Sequence, residues 1–355
     1  MQNALSMLVE WVNTVRGGIR LSTDANATAR RLLQIITVDD GSLDANIAPI
    51  TKGLIDGSLL GPIGACGSVG AGVDFVLGPY SSGLTELAAK AADAQGKLLM
   101  AAGASTTSVF VNRSLAFGML PPAATYMHAG IELLHALNVR SIALLFEDAS
   151  ATKDWCKGAA AKAAQLNMTV VDSVQISQKL NRTEIANALA RFQAAGTELS
   201  FWSVVIGANP IGTTLVRHAG PDVVVGCTYF EACAEFLTQA SVALFTVKAT
   251  LLTTCVTDAR FLTELAAKAA YVLGVSPWSE YDTQPDQLMG GGWSPADFAQ
   301  KYEARFNQIP PYQAVAAFAG DCSAPPLGVA VIAVIPPRYV PQGVQCRRIA
   351  AHSSN

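Results

Sequence analysis

The chain has little charge and little histidine. Only 14% of its 355 residues are Asp, Glu, Lys or Arg, the net charge is −3, and there are four histidines. With no basic block it lacks the electrostatic footprint of a nucleic-acid binder. Its seven cysteines, at 66, 156, 227, 233, 255, 322 and 346, form no CxxC pair and have no histidine at ligand spacing. That excludes zinc fingers and thioredoxin-like chemistry, and an odd count cannot be fully paired within one chain. His128 and His135 read as surface or boundary residues, so no metal is expected. There is also no P-loop, GxGxxG or nucleophile elbow, so no cofactor is expected; Gly64-Ala65-Cys66-Gly67 and Gly290-Gly291-Gly292 read as flexible loops. The longest uncharged apolar run near the C-terminus, Leu327 to Ile335, is bracketed by prolines and too short to span a bilayer. Met1 to Val12 contains Glu10 and no basic region, so no signal peptide is legible.

What is present is apolar: 51% of residues are hydrophobic. Such a chain is not disordered, and its length allows one large or two medium domains. Strand and helix patterns alternate along it. Leu32 to Val38 is a β-rich run, and Ile47 to Ile55 has helical spacing. The strand at Val73, the helix at Leu84 and the run Lys97 to Ala102 follow. A break at Phe117 to Pro122 precedes a long helix, Ala123 to Leu137. The pattern then restarts with strands at Ser141 to Phe146, Val170 to Val174, Asp222 to Gly226 and Tyr271 to Val275. Helices at Lys153 to Leu166, Glu184 to Phe192 and Glu231 to Gln239 separate them, and an amphipathic helix covers Pro295 to Phe306. Strands separated by helices of this length mean parallel sheets covered on both faces. The expected fold is α/β, two doubly wound lobes with a cleft between them.

In such sheets ligands sit beyond the carboxyl ends of the strands. The most informative of these ends is Val73-Asp74-Phe75-Val76-Leu77-Gly78-Pro79-Tyr80-Ser81-Ser82-Gly83: a buried strand, a tight turn and a helix start. Helix N-termini present unpaired N–H groups and a positive dipole end, so this turn suits a carboxylate. The alternative is that Ser81 or Ser82 only caps its own helix. Glu147 and Asp148 follow another strand; adjacent residues there cannot both point one way. Trp155 reads as helix packing. Trp278 reads either as core or as a stacking wall for ligand.

Together these motifs resemble a known family. Gly78-Pro79-Tyr80-Ser81-Ser82 after its strand, Phe117-Gly118-Met119-Leu120-Pro121-Pro122, Ala143-Leu144-Leu145-Phe146-Glu147-Asp148 and Pro221-Asp222-Val223-Val224-Val225-Gly226 are similar to segments of type I periplasmic-binding-protein folds. The branch is that of leucine/isoleucine/valine-binding proteins and receptor-family ligand-binding regions, over roughly residues 5 to 319. The resemblance implies a Venus-flytrap module, two lobes joined by a hinge, that closes on a small amino-acid-like or carboxylate ligand without catalysis. It implies transport, with a membrane permease as partner, or signal transduction as a receptor ectodomain. It further implies that Ser81, Ser82, Gly103, Ala104 and Ser105 grip the ligand carboxylate, while Tyr229 covers the ligand from the second lobe; Trp278, from its place after a strand, and Asp148 are further candidates there.

This chain departs from the family pattern. Amino-acid binders often carry an aromatic where Ala151 stands, and an acid for the ligand ammonium near Thr253-Thr254-Cys255. Asp148, Glu231 or Glu280 takes that role, or the ligand is not a free α-amino acid. The family's first, central strand is missing, the chain opening within a helix that carries Leu5, Leu8, Val9 and Val12 on one face. Gly57 to Ala71 and Thr197 to Gly220 read as insertions; a translated intron, a frameshift or true loops would each account for them. The expected organisation is lobe 1 over 1–120, lobe 2 over 121–276 with its insertion near 197–220, a hinge return and closing helices over 277–319, and an unrelated Pro-rich tail over 320–355.

The opposing class is a doubly wound α/β enzyme acting on a small carboxylate substrate. The missing nucleophile, metal cluster and cofactor loop stand against it. Four Asn-x-Ser/Thr sequons, at Asn26, Asn112, Asn167 and Asn181 among only twelve asparagines, point to a secretory route, and with the family resemblance they imply an extracellular or periplasmic location.

Overall fold

The computed structural model describes residues 2–20, 28, 30–60, 72–195, 199–206, 209–217, 220–258, 260–278, 293–322, 330–334 and 346–349. The two glycine-rich loops and Glu280 lie outside them. The chain divides into two compact units, residues 1–122 with 277–355, and residues 123–276.

The first unit is built on β1 (Gln34–Val38), β2 (Phe75–Leu77), β3 (Leu98–Ala101) and β4 (Ala116–Gly118). Alternate residues face opposite ways along a strand, and here both faces are covered. Ile35, Phe75, Leu77 and Met100 pack with α1 (Gln2–Glu10) and with the helices Pro295–Phe306 and Tyr312–Cys322. Ile36, Val38, Val76 and Leu99 pack on the other side with α2 (Asp44–Ile55) and α3 (Ser82–Asp93). Two-sided burial explains why these strands read as unbroken apolar runs. Leu5, Leu8 and Val9 on α1 and Val12 in the π-helical turn that continues it, Trp11–Val15, are buried together, as their spacing requires.

The place between β1 and β2 is filled by Ala330–Val334, from the segment the sequence reading sets apart as a tail. Ile332 lies beside Ile36 on one side and Val76 on the other, parallel to both. Val-Ile-Ala-Val is the composition a strand needs in that position. Cys346–Ile349 then adds antiparallel to the outer edge of β1.

The second unit holds β5 (Ser141–Glu147), β6 (Thr169–Ile176), β7 (Val223–Cys227), β8 (Ala249–Leu252) and β9 (Val272–Gly274). They form one parallel sheet in the order β9-β8-β7-β5-β6. Ile142, Leu144, Val223 and Val225 face α4 (His128–Ala136) and α5 (Ser150–Gln165). Ala143, Leu145 and Val224 face α6 (Arg182–Ala194) and α7 (Phe230–Val242). The long helix expected from Ala123 is divided into a 3-10 turn, Ala123–Thr125, and α4. Its neighbours Tyr126 and Met127 are both buried, whereas one continuous helix would turn them about 100° apart. Gly158 lets α5 lie against that turn, since a Cβ there would fall 1.9 Å from the Ala124 carbonyl oxygen.

Leu199–Ile206 and Asn209–Arg217 pair as an antiparallel hairpin, a sheet of their own. Two disulfides, Cys156–Cys227 and Cys233–Cys255, tie α5 to the end of β7 and α7 to the turn after β8.

Candidate functional site

The carboxyl end of β2 runs through a short turn into α3, and hydrogen bonds hold the turn in place. Gly78 N–H donates to the Met100 carbonyl at 2.8 Å, joining the ends of β2 and β3. Thr85 Oγ1 donates back to the Pro79 carbonyl at 2.7 Å. Ser81 is the N-cap of α3, its hydroxyl accepting from Leu84 N–H. The capping alternative for Ser81 therefore describes its hydroxyl in this structure. Ser82 does something else. Buried at 6% exposure, its Oγ accepts from the backbone N–H groups of Ser105 and Thr106, at 3.2 and 3.4 Å. It bolts the turn after β2 to the turn after β3.

Gly103 permits the same approach from the other side, since a Cβ there would lie 2.5 Å from the Tyr80 carbonyl oxygen. Ala104 and Ser105 are buried beside it. Tyr80 is oriented by its hydroxyl, which bonds to the Tyr312 hydroxyl at 2.8 Å and accepts from Gln313 Nε2 at 3.2 Å. The result is a rigid pair of turns at a helix N-terminus. Leu84 and Thr85 N–H groups are spent on Ser81, which leaves those of Ser82 and Gly83 for an incoming group. The space above Gly83 is open, with nothing within 4 Å of a Cβ placed there. Thr106, which no sequence pattern marks, adds a buried hydroxyl without a hydrogen-bond partner. Two N–H donors at a positive dipole end are suited to an anion.

Ser82→Ala should therefore act on stability first. It strands two buried N–H groups, each costing about 1–3 kcal/mol, whereas Ser81→Ala loses a cap worth about 1. Urea titration of both variants checks the order.

In the second unit the corresponding strand ends carry Glu147, Asp148 and Tyr229. Glu147 and Asp148 point oppositely, as adjacent residues must. Asp148 is exposed and ion-paired with Lys153. Glu147 is 3% exposed, and its Oε1 accepts from the Tyr229 N–H at 2.8 Å. The Tyr229 ring stands edge-on to Trp155, centroids 5.8 Å apart, and Trp155 in turn packs on Tyr126 at 5.2 Å. Trp278, which sequence reading assigns to the second lobe, belongs to the first unit. It stands edge-on to Phe298, centroids 6.3 Å apart, at the margin of the α1 cluster. The apolar face of Pro295–Phe306 needs a cover there, and an aromatic side chain supplies it.

Burial raises the Glu147 carboxyl from 4.5 to about 7, against the lowering effect of the Tyr229 N–H, with repulsion from Glu231 adding to it. A raised acid means the folded state holds its proton where the unfolded state has released it. Stability from this group is thus fully present below about pH 4.5 and lost as pH rises to about 7. Glu147→Gln should leave the second unit's stability unchanged at pH 4. At pH 8 it should gain up to about 3 kcal/mol, at 1.36 per pH unit. Denaturant midpoints across this range measure it.

Two units built on parallel sheets, the first reached twice by the chain and the second once, each with turns at its strand ends, define the class: a two-lobed binding protein of the type I periplasmic kind. The chain belongs to the periplasmic binding protein family, which matches residues 3–321. No curated protein matches the sequence. Among solved structures it is similar to an ABC transporter substrate-binding protein from Desulfitobacterium hafniense in complex with Leu. That match has 15% identity and a TM-score of 0.61, covering 90% of this chain and 76% of that one. It is also similar to the branched-chain amino acid transporter substrate-binding protein of Streptococcus pneumoniae in complex with isoleucine, at 18% identity and TM-score 0.60, covering 90% and 75%. A solute-binding protein of R. palustris in complex with benzoate aligns at 14% identity and TM-score 0.61, covering 90% and 74%. The family is one of binding proteins, not enzymes, and its setting is periplasmic or extracellular. Among the described residues no helix is long and apolar enough to cross a membrane.

Proposed function

We propose that this chain is a solute receptor whose first unit takes the carboxylate of a small amino-acid-like or aromatic-acid ligand at the start of α3. The observation that carries this reading is the donor set there: the N–H groups of Ser82 and Gly83 in the first turn of α3, with open space beside Gly83. The ligands named for the similar structures, leucine, isoleucine and benzoate, share a carboxylate and little else. Ser81, Gly103, Ala104 and Ser105 shape the turns that present the donors. Tyr229 and Asp148 act from the second unit, and Trp278 from the first. The role is uptake through an ABC-type permease or sensing as the ectodomain of a membrane receptor. Passage through a secretory route is supported by the exposed sequons Asn112, Asn167 and Asn181 and by the two disulfides; Asn26 lies outside the described residues.

A charge at Gly83 separates binding from folding. Gly83→Glu places a carboxylate in open space in the first helical turn, where it helps the helix by about 0.3–1 kcal/mol. The same charge repels an anionic ligand. Thermal-shift titration of the full chain with leucine, isoleucine and benzoate should show stabilisation by at least one of them. The variant should melt no lower and bind that ligand at least ten-fold more weakly. If none of the three stabilises the chain, or if Gly83→Glu binds as the native protein does, the reading fails.

A further inference from the structure

The three sequons among the described residues are of two kinds. Asn112 and Asn167 are exposed turn residues with positive φ, 59° and 55°. Asparagine adopts this left-handed conformation more readily than most residues, so the turn alone accounts for it. The turn does not account for what stands two residues on. Ser114 and Thr169 are exposed, and neither hydroxyl has a hydrogen bond among the described residues. The Asn112 and Asn167 side chains have none either. Asn181 differs. It is the N-cap of α6, its Oδ1 accepting from the N–H groups of Thr183 and Glu184 at 3.1 and 3.4 Å. Its Nδ2 donates to Glu184 Oε1 at 3.1 Å, and Glu184 is fixed in turn by the N–H and hydroxyl of Ser177. Thr183, the hydroxyl residue of this sequon, already lies within the helix.

The two kinds also sit at opposite ends of the strands. Leu115, next after the Asn112 sequon, accepts from Leu99 N–H at 2.8 Å near the amino end of β3. Thr169 opens β6, its N–H donating to the Arg140 carbonyl at 2.8 Å. Asn181 follows the carboxyl end of that same strand, which is eight residues long, or about 23 Å at the usual rise.

We propose that Asn112 and Asn167 are sites of N-linked glycosylation on the folded chain, and that Asn181 is not. The co-reactant is an oligosaccharide joined through pyrophosphate to a polyprenol lipid. The amide nitrogen bonds to the anomeric carbon, the bond from that carbon to the pyrophosphate oxygen breaks, and its electron pair leaves with the lipid pyrophosphate. One amide proton passes to a carboxylate of the transferase. An amide nitrogen is a weak nucleophile, because its lone pair is delocalised into the carbonyl, so the transferase must turn and hold the side chain. Asn112 and Asn167 can be turned without loss. Turning Asn181 breaks its bond to Glu184 and strips α6 of its cap. Sugars on Asn112 and Asn167 cover amino ends of strands and leave the turns at the carboxyl ends open. The proposal does not rest on the carboxylate site.

The test uses the full chain, purified without glycans and carrying Asn26→Gln so that only the three sites are scored. It is incubated with a single-subunit oligosaccharyltransferase and chitobiose on polyprenyl pyrophosphate, and the products are read by intact mass and peptide mapping. We expect two additions per chain, at Asn112 and Asn167, and at least about ten-fold slower transfer to Asn181. Asn112→Gln and Asn167→Gln should each lose one addition and leave the melting temperature unchanged. Glu184→Ala, which releases the Asn181 nitrogen, should make Asn181 a third site. A free peptide of residues 178–186 should be accepted as it stands, showing that the fold and not the local sequence protects Asn181. No addition to the chain while the peptide is accepted, equal transfer to all three sites, or a peptide refused like the folded chain would each overturn the proposal.

Discussion

Ile332→Pro should unfold the first unit and leave the second folded. Ile332 is the middle residue of Ala330–Val334, which is hydrogen-bonded in parallel to β1 on one side and β2 on the other. A proline within a central strand has no N–H for the ladder and a fixed φ, and it is tolerated only at edges or bulges. Each buried backbone group left unpaired costs about 1–3 kcal/mol, a large part of the roughly 5–15 kcal/mol that stabilises a typical domain. The damage is not local, because separating β1 from β2 divides the sheet that both apolar clusters of this unit cover. Calorimetry should show the transition of one unit lost and that of the other retained, and limited proteolysis should cut within 1–122 before 123–276. A variant that melts like the native chain would mean that the strand contributes nothing to the sheet, and that β1 and β2 hold together without it.

Removing Cys156–Cys227 should have a comparable effect on the second unit. The bridge closes 71 residues of sequence, and Cys233–Cys255 closes 22. On the loop-entropy account these cross-links contribute about 4 and about 3 kcal/mol respectively. Cys156 and Cys227 are each no more than 2% exposed, between α5 and the carboxyl end of β7. Serine at both positions also buries hydroxyls in an apolar cluster, so alanine is the cleaner substitution. Cys156→Ala/Cys227→Ala should lower the melting temperature of the second unit by about 2–4 °C for each kcal/mol lost. The same treatment of Cys233 and Cys255 should cost less. Equal losses would contradict the loop-length argument and point to local packing instead.

Much of the fold was legible because its signals are local. The helix expected over Pro295 to Phe306 is found over Pro295–Phe306, since Ser294 caps it with Asp297 in return and proline opens it. The β2–α3 turn was legible for the same reason: an apolar run ending in Gly-Pro-Tyr-Ser-Ser specifies a strand end and a cap within a few residues. The opposed directions of Glu147 and Asp148 follow from strand geometry alone.

Other features depend on partners distant in sequence, and no local pattern reports those. Ser82 looks like one more helix cap, yet its hydroxyl serves Ser105 and Thr106, in the turn after the neighbouring strand β3. Trp278 follows a strand of the second unit, but the chain has already crossed back, and the ring answers the apolar face of a helix in the first. Glu147 is distinguished from Asp148 only by its burial, which a sequence does not display.

By itself, the sequence determined the alternating strand–helix order, the two-sheet α/β class and the turn that offers N–H groups at the start of α3. Each rests on spacing and capping within a dozen residues. The tertiary structure alone decided which strand lies between β1 and β2, which cysteines pair, and which of two adjacent acids is buried. Val331 to Val334 would suit a buried strand in any sheet. Its place is set by the hydrogen bonds of β1 and β2, some 250–300 residues earlier in the chain, and only folding brings those within reach.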